Sequence, residues 1–254
     1  MKMNKESWLN QIKVNFDSAA SNYSRVSSIQ KHFSEKIVIS LKNLLIPRGK
    51  WFDLGSGTGF LADQIEEEFP NQIVNRIDFS EKMLLMHKAN KSTILWDLNL
   101  GLPQSTKGCS LLVSNFCLHW LNDPCESIKI FYSNLMKGGF LIISYPTNKC
   151  FPEWKETCKK CNIEFSGLGL PDSAFTQNSL NGYEIISSKN YNYIENFSNI
   201  YKLFRNIIDM GAHSTKSKRK TVNELKTLQK FWPKDTNNRV NLTWEINILI
   251  VKKR

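Results

Sequence analysis

The chain has 254 residues, 41% hydrophobic and 22% charged, which fits a globular protein, and no apolar run approaches the length of a membrane span. Its 34 lysines and arginines stand against 23 aspartates and glutamates, and a net charge of +11 attracts acidic partners: nucleic acid, anionic lipid or an acidic protein. Six cysteines are spread along the chain rather than packed into a short secreted framework, and Met1 to Asn15 lacks the apolar core of a signal peptide. A cytoplasmic protein is expected.

In chain order, Phe16 to Tyr23 reads as a short helix leading to an exposed aromatic. Ile29, Phe33, Ile37, Leu41 and Leu44-Leu45 recur at spacings of three and four, which predicts an amphipathic helix ended by Pro47-Arg48-Gly49. Trp51, Phe52 and Leu54 form a short apolar strand carrying Asp53, and Gly55, Gly57 and Gly59 break it. From Leu61 the period becomes helical and stops at Pro70. Strand, glycine turn and helix start together make a nucleotide-binding corner, because glycine lets a ligand approach the main chain without a Cβ in the way.

The spacing discriminates between ligands. The dinucleotide fingerprint is G-x-G-x-x-G, and here the third glycine comes one residue early, with Phe60 in the place it would take. An Asp directly before the turn would repel a pyrophosphate. It suits a ligand with an ammonium group and ribose hydroxyls, which describes S-adenosylmethionine. The stretch resembles motif I of the class I S-adenosylmethionine-dependent methyltransferases.

Further strands are predicted over 72–77, 93–96, 110–114, 140–144, 183–194 and 242–251. Helices begin at Ser80-Glu81 and Pro124, the second closed by Lys137-Gly138-Gly139, and helical spacing returns over 198–210. Strands alternating with helices imply an α/β fold with a doubly wound, mostly parallel seven-stranded sheet. It would form one domain over 1–254: a helical cap (1–49), a cofactor-binding core (50–146), an insertion and helices covering the substrate (147–220), and a C-terminal helix and strand (221–254).

Ligands bind such sheets at the carboxyl ends of the strands. Asp53, Asp78, Asp97 and Asn115 all stand at predicted ends. Asp78, nineteen residues after Gly59, can accept hydrogen bonds from both ribose hydroxyls. Asp97 with Leu98 would meet the adenine, Asp53 would orient the glycine loop, and Met83 and Asn115 complete the cofactor-binding set. His119 is a candidate general base or a packed histidine beside Trp120. Cys158-Lys-Lys-Cys161 has no second C-x-x-C and no nearby His, so free thiols on a helix are expected and no metal is assigned.

The resemblance narrows along the chain. Phe16, Ala19-Ala20, Tyr23 and Gln30, Ser114-Asn115 with Leu118 and Trp120, Phe204-Arg205-Asn206 with Gly211-Ala212, and Trp232-Pro233 with Leu242-Thr243-Trp244-Glu245 are similar to segments of the malonyl-(acyl-carrier protein) O-methyltransferases of biotin synthesis. That family often has Gln where this chain has His119. The resemblance implies transfer of the methyl of S-adenosylmethionine to the free carboxylate of a malonyl thioester on its carrier or on coenzyme A. Arg205 would clamp that carboxylate and Tyr23 would close over it. The implied partner is an acidic acyl carrier protein, met by the basic run Lys216, Lys218, Arg219 and Lys220, with no nucleic acid or membrane and a monomeric enzyme. Alternatives are a methyltransferase acting on another small acid or a quinone precursor, a nucleic-acid methyltransferase or binder, and a cofactor-binding protein without catalysis. The nucleic-acid reading lacks an Asn-Pro-Pro-aromatic segment and a basic-aromatic interleaved stretch.

Overall fold

A computed structural model describes residues 5–215 and 217–254, with the side chains of residues 5 and 6 left aside. The chain opens with two helices, α1 (Lys5–Val26) and α2 (Ser28–Leu41). α2 buries Ile29, Phe33, Ile37 and Leu41 on one face, the spacing expected. α1 is far longer than the short helix read around Phe16. Its apolar positions are sparse, but Trp8, Ile12, Ala19 and Ala20 fall on one side and are buried by tertiary contact.

The alternating part follows as β1 (Trp51–Leu54), α3 (Phe60–Glu68), β2 (Val74–Asp78), α4 (Glu81–Leu84), β3 (Thr93–Leu95), β4 (Cys109–Asn115), α5 (Pro124–Asn134) and β5 (Leu135–Pro146). The Ser80 hydroxyl accepts the Met83 amide and caps α4, and Asp123 caps α5 ahead of Pro124. Lys137-Gly138-Gly139 does not close α5, as the glycines suggested. It lies inside β5, where the β4–β5 register slips between Cys109 and Leu111. A Cβ on Gly139 would stand 3.0 Å from the carbonyl oxygens of Met136 and Ser110, so glycine is needed for close backbone approach.

The remainder comprises α6 (Pro152–Lys160), α7 (Ser173–Asn178), β6 (Glu184–Phe197), α8 (Ile200–Asp209), α9 (Val222–Phe231) and β7 (Val240–Lys252). The sheet order is β3-β2-β1-β4-β5-β7-β6, with β7 antiparallel to both of its neighbours and the other pairings parallel. The order reverses between β1 and β4, so the crevice at their carboxyl ends is the topological switch point. Two cores, one per sheet face, fix the strands: one around Phe33, Trp51, Leu111 and Trp244, the other around Phe52, Leu112, Phe131 and Leu141. Among the described residues no helix is long and apolar enough to cross a membrane.

Candidate active site

A cavity of about 660 Å³ opens at the switch point. Its floor is made by the loops after β1, β2 and β4: Gly55 and Gly57, Asp78 and Phe79, Asn115 to Cys117. Its adenine-sized side is walled by Met83, Trp96, Asp97 and Leu98. Its roof is α1, which presents Leu9, Ile12, Phe16 and Tyr23. Among the described residues, no lining residue comes from 147–220, the segment expected to cover the substrate.

The glycine loop is held from three sides. The amides of Gly55 and Ser56 donate to the Ile77 carbonyl at 2.8 and 3.0 Å. The Gly57 amide donates to Asp78 Oδ2 at 2.8 Å. The Gly57 carbonyl accepts from His87 Nε2 at 2.8 Å. Gly55 has φ +70, and a Cβ there would lie 2.4 Å from Cys117 Sγ; on Gly59, with φ +96, a Cβ would meet the His87 ring at 2.8 Å. The first and third glycines are thus required by packing. Gly57 instead faces the cavity, where a Cβ would have only Tyr23 within reach, at 3.8 Å.

Two carboxylates dominate the electrostatics. Asp78 accepts from the Gly57 and Ser80 amides, at 2.8 and 2.9 Å, yet burial pushes its pKa up to about 6. The Phe79 amide also helps to hold the carboxylate, and the lone-pair capacity left over is available to ribose hydroxyls. Asp53, 1% exposed, has neither oxygen in a well-formed hydrogen bond, with only partial help from the Ala62 amide. Burial raises its pKa to about 7 against the opposing pull of Arg76. The Ser56 hydroxyl, between the lining residues Gly55 and Gly57, is also buried without a partner. Orphaned acceptors around a backbone cradle are what a cationic, hydroxyl-bearing ligand would satisfy. The residues present therefore fit S-adenosylmethionine.

The other candidates separate clearly. Asp97 caps the turn at 98–100 by accepting the Asn99 amide at 2.9 Å through Oδ1, with Leu98 buried beside it. Asn115 is used structurally as well as lining the cavity: Nδ2 donates to the Gln30 carbonyl at 2.8 Å and Oδ1 accepts from Ser144 at 2.5 Å. Tyr23 is not the exposed aromatic expected. It lies on the last turns of α1, half-buried and packed on Phe16 at 6.5 Å between ring centroids, and burial and the charge of Asp78 raise its phenol pKa. It lines the cavity. His119 is half-buried, with desolvation pushing its pKa down to about 3 and its buried Nδ1 unpartnered, and it is not among the lining residues. Of the two readings it is the packed histidine.

Asp53 and Gly59 are not themselves lining residues but flank the lining glycines Gly55 and Gly57 in the chain, whereas Arg205 stands apart from the cavity. The sequence placed it among apolar residues and gave it a need for a partner. On α8, however, Ile200, Leu203, Phe204 and Ile207 face the core, and Arg205 lies off that face with a side chain 72% exposed. Its Nε pairs with Asp209 Oδ1 at 2.9 Å, one helical turn away. The charged lining residues are both acidic, Asp78 and Asp97.

Sequence reasoning missed Phe79, Phe116, Cys117 and His87. The first three directly follow strand-end residues it had singled out, so position could have found them. Phe116 also carries φ +57, an uncommon value for an aromatic residue and a frequent mark of functional loops. Nothing local marks His87. The six cysteines are free, and no metal-binding group occurs among the described residues.

Fold, glycine corner and acidic strand ends define a class I methyltransferase with S-adenosylmethionine as cofactor. The chain belongs to the methyltransferase-domain family, whose model matches residues 29–180. Malonyl-(acyl-carrier protein) O-methyltransferase 1 of Ilyobacter polytropus is 24% identical over 259 residues, covering 96% of this chain and 94% of that one. Malonyl-(acyl-carrier protein) O-methyltransferase 2 of Coxiella burnetii is 24% identical over 250 residues, covering 96% of each chain. Among solved structures, the plantazolicin methyltransferase BpumL, in complex with a triazolic desmethyl analogue and SAH, superposes with a TM-score of 0.53 over 100% of both chains at 11% identity, a likeness of fold.

Proposed function

We propose that the chain methylates the free carboxylate of a malonyl thioester borne by an acyl carrier protein, giving the methyl ester, an early step of biotin synthesis. The observation that carries the choice of acceptor is the lack of a usable general base among the described residues that line the cavity. The Tyr23 phenol and Cys117 thiol are both pushed up by burial and by nearby carboxylates. Asp78 is committed to the glycine loop. Hydroxyl, amine and carbon acceptors need a proton removed; a carboxylate is already ionised at neutral pH.

S-Adenosylmethionine supplies an electrophilic methyl group on a sulfonium. The chain's own residues bind, orient and keep the site dry. Asp78 takes the ribose hydroxyls, Asp53 and the glycine loop hold the amino-acid end, and Met83, Asp97 and Leu98 frame the adenine. Phe16, Phe116 and Trp120 wall the acceptor side and exclude water, which favours a reaction in which opposite charges cancel. Tyr23, kept protonated, is placed to donate a hydrogen bond to the acceptor carboxylate. The resemblance assigns the carboxylate clamp to Arg205, a role that requires its guanidinium to leave Asp209 and cross to the cavity.

The test is transfer of labelled methyl from S-adenosylmethionine to malonyl-carrier and to acetyl-carrier. Base-labile label on malonyl-carrier alone, at a rate flat between about pH 7 and 9, is expected. Cofactor binding without transfer to either malonyl-carrier or malonyl-coenzyme A would overturn the acceptor assignment.

A further inference from the structure

Segments 149–164 and 217–234 carry ten lysines and arginines against four glutamates. The structure brings them onto one side of the molecule, α6 against α9. Of the four glutamates, Glu153 is spent on Thr243 and Glu224 on the capping box at Thr221. The focus is Phe231, at the end of α9 and 42% exposed. The ammonium groups of Lys160 and Lys230 sit 5.3 and 5.4 Å from its ring centroid. Lys220 donates to the Glu164 carbonyl, and Lys155 lies over Phe165 at 5.7 Å. Among the described residues none of these four lysines forms an ion pair with a carboxylate. Lys216 of the basic run lies outside the described residues.

A monomer gains nothing by gathering like charges around an exposed aromatic ring. Cation–π contacts at exposed sites are weak and leave the net charge unanswered. The surface also connects to the acceptor side of the cavity. Phe116, which lines it, contacts Trp244; Trp244 contacts Phe151; Phe151 contacts Trp154; and Trp154 contacts Phe204, which meets Trp232 next to Phe231. By contrast, Lys91 and Arg76, near the glycine corner, are both paired with Glu66.

We infer that the α6–α9 face around Phe231 docks an acidic protein, the carrier that presents the acyl thioester, through Lys155, Lys160, Lys220 and Lys230 with Phe231 as the apolar contact. This rests on the proposed carrier-bound substrate and adds where the carrier sits. The charge complementarity would speed encounter and make it salt-sensitive.

The experiment separates docking from chemistry by comparing malonyl-carrier with malonyl-pantetheine, which keeps the acyl end and carries no protein. Lys160→Glu/Lys230→Glu should raise KM for malonyl-carrier about tenfold or more. KM for malonyl-pantetheine and cofactor affinity should stay within about twofold, which also shows that the variant folds. Lys160→Gln/Lys230→Gln should give a smaller rise of the same kind. Unchanged KM for malonyl-carrier in both variants would overturn the docking face and leave the acceptor reading intact. Salt-sensitive RNA binding tighter than carrier binding, and lost in the same variants, would also overturn it. If wild-type enzyme modified no malonyl substrate at all, the acceptor reading would fail instead, and direct carrier binding measured by calorimetry would still test the face.

Discussion

The cofactor corner and the α6–α9 face handle charge in opposite ways. On the cofactor side, Asp53 and Asp78 are buried acids held above the ordinary carboxylate range, with acceptor capacity left over. On the face proposed to meet the carrier, cations lie on the surface, and the one arginine that the resemblance gives a substrate role is paired outside the cavity. The first arrangement is preorganised: strand register and three backbone hydrogen bonds fix its donors and acceptors before any ligand arrives. The second is not. The difference suits the two ligands. A cofactor common to every turnover rewards a rigid site. A substrate delivered on a protein can be steered by a diffuse surface and fixed only on arrival.

The largest expected effect falls on the rigid side. Asp78→Ala should weaken S-adenosylmethionine by about 1.5–3 kcal/mol, the range for hydrogen bonds to a charged group. It also releases the Gly57 and Ser80 amides, so the glycine loop itself should loosen. Calorimetry on the folded variant measures this. Unchanged affinity would remove Asp78 from the ribose role and break the contrast, because the corner would then owe its shape to packing alone.

The next effect is one of pH. Asp53 has a folded-state pKa near 7 against an ordinary value of 3.8, the reverse of the usual carboxylate shift. The folded state therefore holds this proton more tightly than the unfolded chain. Its stabilising contribution is fully present below about pH 4 and is lost as pH rises through about 7. Asp53→Asn removes the titration. The ligand-free variant should gain stability over wild type between pH 5 and 8 by on the order of 1–2 kcal/mol, a few degrees in Tm for a chain of this size. Thermal unfolding across that range checks it. Parallel pH curves for the two proteins would show that Asp53 is compensated in a way the structure lacks.

The cofactor side was the legible side. Asp53, Gly55, Gly57 and Asp78 could be found because a strand, a glycine turn and an acid at the next strand end are local patterns with local causes. The glycines' individual duties were not legible: that Gly55 yields to Cys117 and Gly59 to His87 is a matter of residues distant in sequence. α1 was read too short because its buried face is made by docking on α4 and α8 rather than by its own periodicity. For the same reason Tyr23 was expected to be exposed. Lys137-Gly138-Gly139 read as a helix stop, since glycine serves a bulge and a C-cap equally well.

Arg205 shows the same limit and gives the smallest expected effect. A helix of apolar residues with one arginine looks, in sequence, like a cation in need of a ligand. Periodicity settles the matter differently: Leu203 and Ile207 share the buried face, and Arg205 falls beside Asp209 on the outer one. An exposed pair of this spacing contributes about 0.3–0.5 kcal/mol. Arg205→Ala should therefore cost no more than that in stability and leave kcat/KM for malonyl-carrier within about twofold. Chemical denaturation and steady-state kinetics on one preparation measure both. A fall of a hundredfold or more in kcat/KM, with cofactor affinity intact, would mean that α8 redocks when the carrier binds and swings the guanidinium onto the carboxylate. Asp209→Ala sharpens the distinction, because it frees Arg205 without removing it. If the ion pair holds a clamp in reserve, that variant should gain activity, whereas a pair that only staples the helix surface should leave the rate where it was.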